Sequence, residues 1–307
     1  IIVSIVLICF AILLDASNSS ADSVSSLGVL AAIAFRISPI MNRSLAALQN
    51  MSKNTNSLHI LYKEIATVNS FKQVSKTDST EKMKFDNNVE ISKMDFIYPG
   101  SPNKALSEIN VEIKKGEYVG IVGESGAGKT TFADILLGLI TEIDGSIKVD
   151  GIPVTHENLR NWQNNLSFVP QKIYLSDDTI RANIAFGEDP KAIDDDKIWK
   201  ILDQINLKEF VEEKDNGLDF IIGESGKHLS GGQQQRIGLA RALYFDTELL
   251  ILDEATSALD VPTEVKINAT LRKFRGEKTI IMIAHRLSTI FDMDKILYFD
   301  KGELLAV

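Results

Sequence analysis

The chain has 307 residues, a length that suggests about two domains, and carries 33 Lys/Arg against 42 Asp/Glu, a net charge of −9. With 44% hydrophobic and 24% charged residues it is neither disordered nor collagenous, and as it stands it is not a many-spanning membrane protein. A single cysteine, Cys9, excludes a disulfide framework and a cysteine-based zinc site, and the acidity argues against a nucleic-acid partner.

The charge is unevenly spread. Residues 1–84 hold eight Lys/Arg and five Asp/Glu, a net of +3, whereas residues 85–307 hold 25 and 37, a net of −12. Ile1 to Leu14 is apolar except for Ser4, and a second apolar stretch runs from Val24 to Met41, interrupted by Ser25, Ser26, Arg36 and Ser38. The first stretch is shorter than the roughly 20 residues a bilayer crossing needs. It begins Ile1-Ile2-Val3 in mid-run, so the front of that span is expected upstream. A signal peptide would need a positive n-region, which is missing. A buried hairpin of a soluble protein is the other alternative. A membrane hairpin is preferred: the acidic segment 15–23 suits an outer turn, and Arg43, Lys53 and Lys63 follow the second span, which places what comes after it in the cytoplasm. Arg36 in that span either faces a cavity or protein neighbour, or snorkels to the interface. Beyond Pro39, Leu45, Leu48, Met51, Leu58, Leu61, Ile65 and Val68 recur at helical spacing, so the span is expected to continue as one long helix out of the membrane. The organisation expected is a partial membrane domain over 1–74, a linker over 75–87 and a second domain over 88–307.

From residue 89 short strand-like runs alternate with helical ones. Val89–Phe96, Ile109–Ile113, Tyr118–Val122, Ile147–Val149 and Leu166–Val169 read as strands, and Gly128–Gly138 as a helix. Leu249–Leu252 and Thr279–Ala284 are continuously apolar, as strands buried on both faces of a parallel sheet are. Residues 195–245 are mostly helical in pattern. The fold class predicted is α/β with a helical insertion.

Gly123-Glu124-Ser125-Gly126-Ala127-Gly128-Lys129-Thr130 matches the pattern G-x-x-x-x-G-K-S/T after an apolar strand and before a helix, the context a phosphate-binding P-loop requires. Its glycines let backbone N–H groups wrap phosphate oxygens at a helix N-terminus. Lys129 is placed to bridge phosphate oxygens, and the Thr130 hydroxyl to ligate Mg²⁺. Far downstream, the apolar run Leu249–Leu252 ends in Asp253-Glu254. That run is expected beside the strand feeding the loop, with Asp253 approaching Mg²⁺ from the opposite side and Glu254 acting as general base on water.

At this point the residues carry a resemblance. Leu229-Ser230-Gly231-Gly232-Gln233 resembles the signature sequence of ATP-binding-cassette ATPases, and further motifs stand in that family's order. The resemblance covers about residues 88–307. It implies a P-loop NTPase fold with a helical subdomain over about 172–240 and an antiparallel β subdomain. It also implies roles: Tyr98 stacking on adenine, Thr131 completing the ATP-binding set, Gln171 sensing Mg²⁺ and His285 contacting the γ-phosphate. Ser257-Ala258-Leu259-Asp260 would link the two sites of a dimer. Ser230 and its glycines form a second backbone-donor cradle, which suits a head-to-tail dimer with each signature capping the partner's ATP.

Two stretches resemble those of exporter-type half-transporters: Gln171 to Ile180, and Ile222-Gly223-Glu224-Ser225-Gly226. With the N-terminal hairpin they imply ATP-driven export, with ATP and Mg²⁺, a homodimer, and membrane lipid as surroundings. The cassette would lie in the cytoplasm, fused to an inner or cell membrane domain. The stretch around Arg36 loosely resembles that of bacterial lipid-linked oligosaccharide flippases, which makes Arg36 a candidate cavity residue. A multidrug or peptide exporter and a soluble cassette ATPase are the alternatives.

Overall fold

The computed structural model describes residues 12, 20–71, 81–255, 259–284 and 293–307 and divides into two units, Ile1–Val74 and Ser75–Val307.

The first unit is dominated by one helix, α1 (Ser20–Phe71), of 52 residues with Pro39 inside it. At 1.5 Å rise per residue it extends about 78 Å. The apolar stretch from Val24 and the helically spaced residues beyond Pro39 thus share one helix. Of the outer turn expected over 15–23, residues 20–23 belong to α1 and residues 15–19 lie outside the described residues. Phe35, Leu45, Met51 and Leu61 are exposed along α1, the kind of apolar surface that marks an interaction or lipid-facing region. Among the described residues no helix is long and apolar enough to cross a membrane. The first apolar run lies outside the described residues apart from Ile12.

The second unit contains, in order, β1 (Asn88–Phe96), β2 (Leu106–Lys114), β3 (Tyr118–Gly123), α2 (Lys129–Leu136), β4 (Asp144–Val149), β5 (Ile152–Pro153), α3 (Leu159–Gln163), β6 (Leu166–Val169), α4 (Ile180–Ile184), α5 (Asp195–Gln204), α6 (Lys208–Glu212), α7 (Gly231–Tyr244), β7 (Leu249–Asp253), α8 (Val261–Lys273), β8 (Thr279–Ile283), β9 (Lys295–Asp300) and β10 (Glu303–Ala306). An antiparallel sheet runs β2-β1-β4-β5, and a larger sheet runs β10-β9-β3-β8-β7-β6. In the larger sheet every neighbouring pair is parallel except β9 with β10.

Strict alternation on the central strands feeds two cores. Leu250, Leu252, Ile280 and Met282 point into one shared with the helices, with Ile198, Ile237 and Ile267. Leu249, Ile251, Ile281 and Ile283 point into the other, with Phe132, Trp162 and the inward residues of β1 and β2. Period-two side-chain direction accounts for this, and it explains why these strands read as unbroken apolar runs. One expectation is corrected here. β7, which ends in Asp253, is not beside β3: β8 lies between them. The strands that neighbour the P-loop strand are therefore β8, the one leading to His285, and β9.

The segment 81–87, assigned to the linker by sequence, packs onto this unit. Met83 and Phe85 are buried, Phe85 meets the Trp162 ring edge-on at 6.1 Å, and Asn165 Nδ2 donates to the Met83 carbonyl at 2.8 Å.

Candidate functional site

β3 ends at Gly123, and the loop that follows turns back into α2. Gly123 has φ +151°, and a Cβ there would sit 2.1 Å from the Phe299 carbonyl oxygen of β9. Gly128, at φ +101°, is the N-cap of α2, and a Cβ there would meet Leu106 and the Ala105 carbonyl oxygen at 2.7 and 2.8 Å. The left-handed backbone and the close neighbours both require glycine. Gly302, in the β9–β10 turn, donates to the Ala127 carbonyl at 3.1 Å, so the hairpin buttresses the loop from behind.

Lys129 is buried, and its Nζ donates to the carbonyls of Gly123 at 2.9 Å and Glu124 at 2.7 Å. Burial lowers its pKa from the usual lysine value, and the carboxylates of Glu254 and Asp253 act the other way. Thr130 is exposed at the start of α2, while Thr131 is buried. Tyr98 lies two residues past β1, and its hydroxyl is 3.1 Å from Thr131 Oγ1.

Asp253 is buried at the C-terminal end of β7. Glu254 follows in the left-handed region at φ +49°, and its N–H donates to the Ile283 carbonyl of β8 at 3.3 Å. Its carboxylate accepts from Gln171 Nε2 at 2.9 Å. Gln171 comes from the loop after β6, so two strands that pair side by side, β6 and β7, deliver one amide–carboxylate pair from residues 83 positions apart. Sequence reasoning missed Gln235. It is buried on α7 and its Nε2 donates to the Glu254 carbonyl at 3.5 Å, which links the signature helix to the residue expected to act as base. Its position within a run of three glutamines gave no signal to separate it from its neighbours.

Ser230 is the N-cap of α7, with a full capping box: its hydroxyl accepts from Gln233 N, and Gln233 Oε1 accepts from Ser230 N. Leu229 is buried beneath, and Gly231 and Gly232 open the helix with their N–H groups at its N-terminus. Ser230→Ala is expected to cost about 1 kcal/mol through the lost cap, read as a lower urea midpoint. The two exporter-like stretches are also brought together. Ile180 N donates to the Phe220 carbonyl and Ile222 N to the Asp178 carbonyl, each at 3.1 Å. Between the loop 171–175 and the start of α7 lies a cavity of about 420 Å³ lined by Gln171, Tyr174 and Gln234 among others.

Some expected site residues have a plain structural place. Leu259 is buried in the helix-side core. Asp260 is the N-cap of α8, accepting from Thr263 N at 3.2 Å. The Thr263 side-chain hydroxyl, the largest influence, holds its carboxyl below the usual range, and the Thr263 N–H adds to this. Ser257, Ala258 and His285 lie outside the described residues. Arg36 is exposed on α1, in the other unit.

Comparison with known proteins agrees with this geometry. Residues 106–257 match the family model described as ABC transporter. The ATP-dependent lipid A-core flippase of Wigglesworthia glossinidia brevipalpis is 37% identical over 263 residues, covering 86% of this chain and 45% of that protein. The protein of the same name from Francisella novicida is 42% identical over 229 residues, covering 75% of this chain and 38% of that protein. The chain thus spans less than half the length of these relatives. Among solved structures, a bacterial Atm1-family ABC exporter with ATP bound superposes with a TM-score of 0.69 at 34% identity, covering 76% of this chain and 40% of that one.

Proposed function

Since the chain carries the ATPase domain of the ABC transporter family, we propose that it is part of an exporter that uses MgATP in a head-to-tail dimer to move a lipid across a membrane. The observation that carries the reading is the Gln171–Glu254 pair standing with a buried Lys129 whose charge both carboxylates favour. These are the parts needed to hold a triphosphate and activate water.

In this reading the backbone N–H groups from Gly123 to Thr130 surround the β- and γ-phosphates, and Lys129 exchanges its loop carbonyls for phosphate oxygens. Charge-assisted bonds to phosphate are stronger than those to neutral carbonyls, which drives the exchange. The Thr130 hydroxyl, the Gln171 amide and the Asp253 carboxylate are hard oxygen donors of the sort Mg²⁺ shares with phosphate and water. The ion would neutralise phosphate charge. Glu254 takes the proton from the attacking water, His285 contacts the γ-phosphate, and Tyr98 stacks on the base. Ser230, Gly231 and Gly232 cap the nucleotide held by the other subunit, and Ser257 to Asp260 link the two sites. A second copy of the chain supplies that subunit.

The names of the relatives support a lipid cargo, and Arg36 suits a phosphate-bearing headgroup. The test is transport by the full-length protein in vesicles, with a fluorescent phosphate-headgroup lipid and ATP. Lys129→Ala should abolish ATP binding and transport together. Arg36→Ala should slow transport and leave ATP binding intact; unchanged transport by that variant would remove Arg36 from the cavity.

A further inference from the structure

The ring proposed to carry the base is held at three points. The turn after β1 fixes its backbone, with Ser101 N donating to the Tyr98 carbonyl at 2.9 Å and Ala105 N to the Phe96 carbonyl at 2.8 Å. Phe96 meets the Tyr98 ring edge-on, with centroids 4.8 Å apart at 79°. The third point is the phenol oxygen, 3.1 Å from Thr131 Oγ1. Thr131 is 8% exposed in the first turn of α2, one residue past the Lys129-Thr130 pair, whereas Tyr98 is 43% exposed. The ring therefore keeps open surface while its tip is tied to a buried side chain.

Without that third point, a tyrosine on a surface turn can rotate about χ1 and χ2 among several wells. A stacking platform that rotates pays for ordering each time a base binds. With the point in place, the ring is fixed relative to the first turn of α2, the same turn whose N–H groups end the phosphate cradle. We propose that Thr131 is a positioning residue: its hydroxyl fixes the tilt of Tyr98 and so sets the spacing between the base platform and the phosphate cradle. This rests on the reading of Tyr98 as the base platform, and the test separates the two.

The experiment measures binding of MgATP and of Mg-tripolyphosphate, which has no base, to the full chain and its variants. Tyr98→Phe keeps the ring and removes the hydroxyl. It should weaken ATP binding about five-fold, the usual worth of one hydrogen bond, and leave tripolyphosphate binding unchanged. Thr131→Val should raise the ratio of the ATP to the tripolyphosphate dissociation constant by the same factor. Thr131→Ser should restore it, and the double variant should be no worse than Tyr98→Phe in that ratio. Parental ATP affinity in Tyr98→Phe, or an equal loss for both ligands, overturns the inference. Parental ATP affinity in Tyr98→Ala overturns the base-platform reading itself.

Discussion

Glu254→Gln is expected to keep ATP binding and slow hydrolysis by about a hundred-fold or more, the usual loss when a general base is removed. The substitution is close to isosteric, and an amide oxygen can still accept from Gln171 Nε2, now 2.9 Å from the carboxylate. The main-chain bond to Ile283 does not depend on the side chain. What disappears is the capacity to take a proton. The variant should therefore bind a fluorescent ATP analogue normally, persist as a dimer in ATP during size-exclusion chromatography, and release almost no phosphate. Phosphate release at the parental rate would move the base role to another group.

Trp162→Ala is expected to cost about 3–5 kcal/mol of stability, the range for removing a large buried aromatic. Trp162 is 1% exposed, and its ring meets Phe85 edge-on. Its Nε1 donates to the Leu136 carbonyl at 2.9 Å, so the truncation also leaves a carbonyl at the end of α2 without that donor. α2 begins at the phosphate cradle, and loss of its far anchor should weaken ATP binding as well. A urea titration reads the first effect and nucleotide titration the second. Trp162→Phe separates them: it keeps most of the packing and loses only the donor, so it should fall well short of the alanine variant. A stability equal to the parent's in Trp162→Ala would contradict the packing account.

The nucleotide cradle was legible in the sequence because its chemistry is local. Gly123 to Thr130 are contiguous, and the strand before and helix after follow from hydrophobic pattern. The central strands were legible for a similar reason: burial on both faces leaves no polar interruption in Leu249–Leu252 or Thr279–Ala284. Strand order was not. Nothing in an apolar run says which neighbour it takes, and β8 inserts itself between β3 and β7. The β9–β10 hairpin escaped too, although a signal was present. Leu297 and Phe299 are buried while Ile296 and Tyr298 are partly exposed, and Lys301-Gly302 have φ values of +46° and +85°, the pattern of a two-residue hairpin turn. Apolar residues on both faces hid the alternation. The packing of 81–87 was missed because two buried side chains, Met83 and Phe85, carry it amid polar neighbours.

The strand that feeds the cradle has only two sheet neighbours, β8 and β9, and both come from residues 279–300, more than 150 positions later in the chain. Proteins are synthesised from the N-terminus at about 5–20 residues per second, and pairing across so long a separation is slow to form. While a ribosome makes this chain, β3 waits with both edges bare until its last two partners emerge. The protein should therefore gain the ability to hold nucleotide late and abruptly, and exposed strand edges during that interval are the stage at which chaperones would have most to protect.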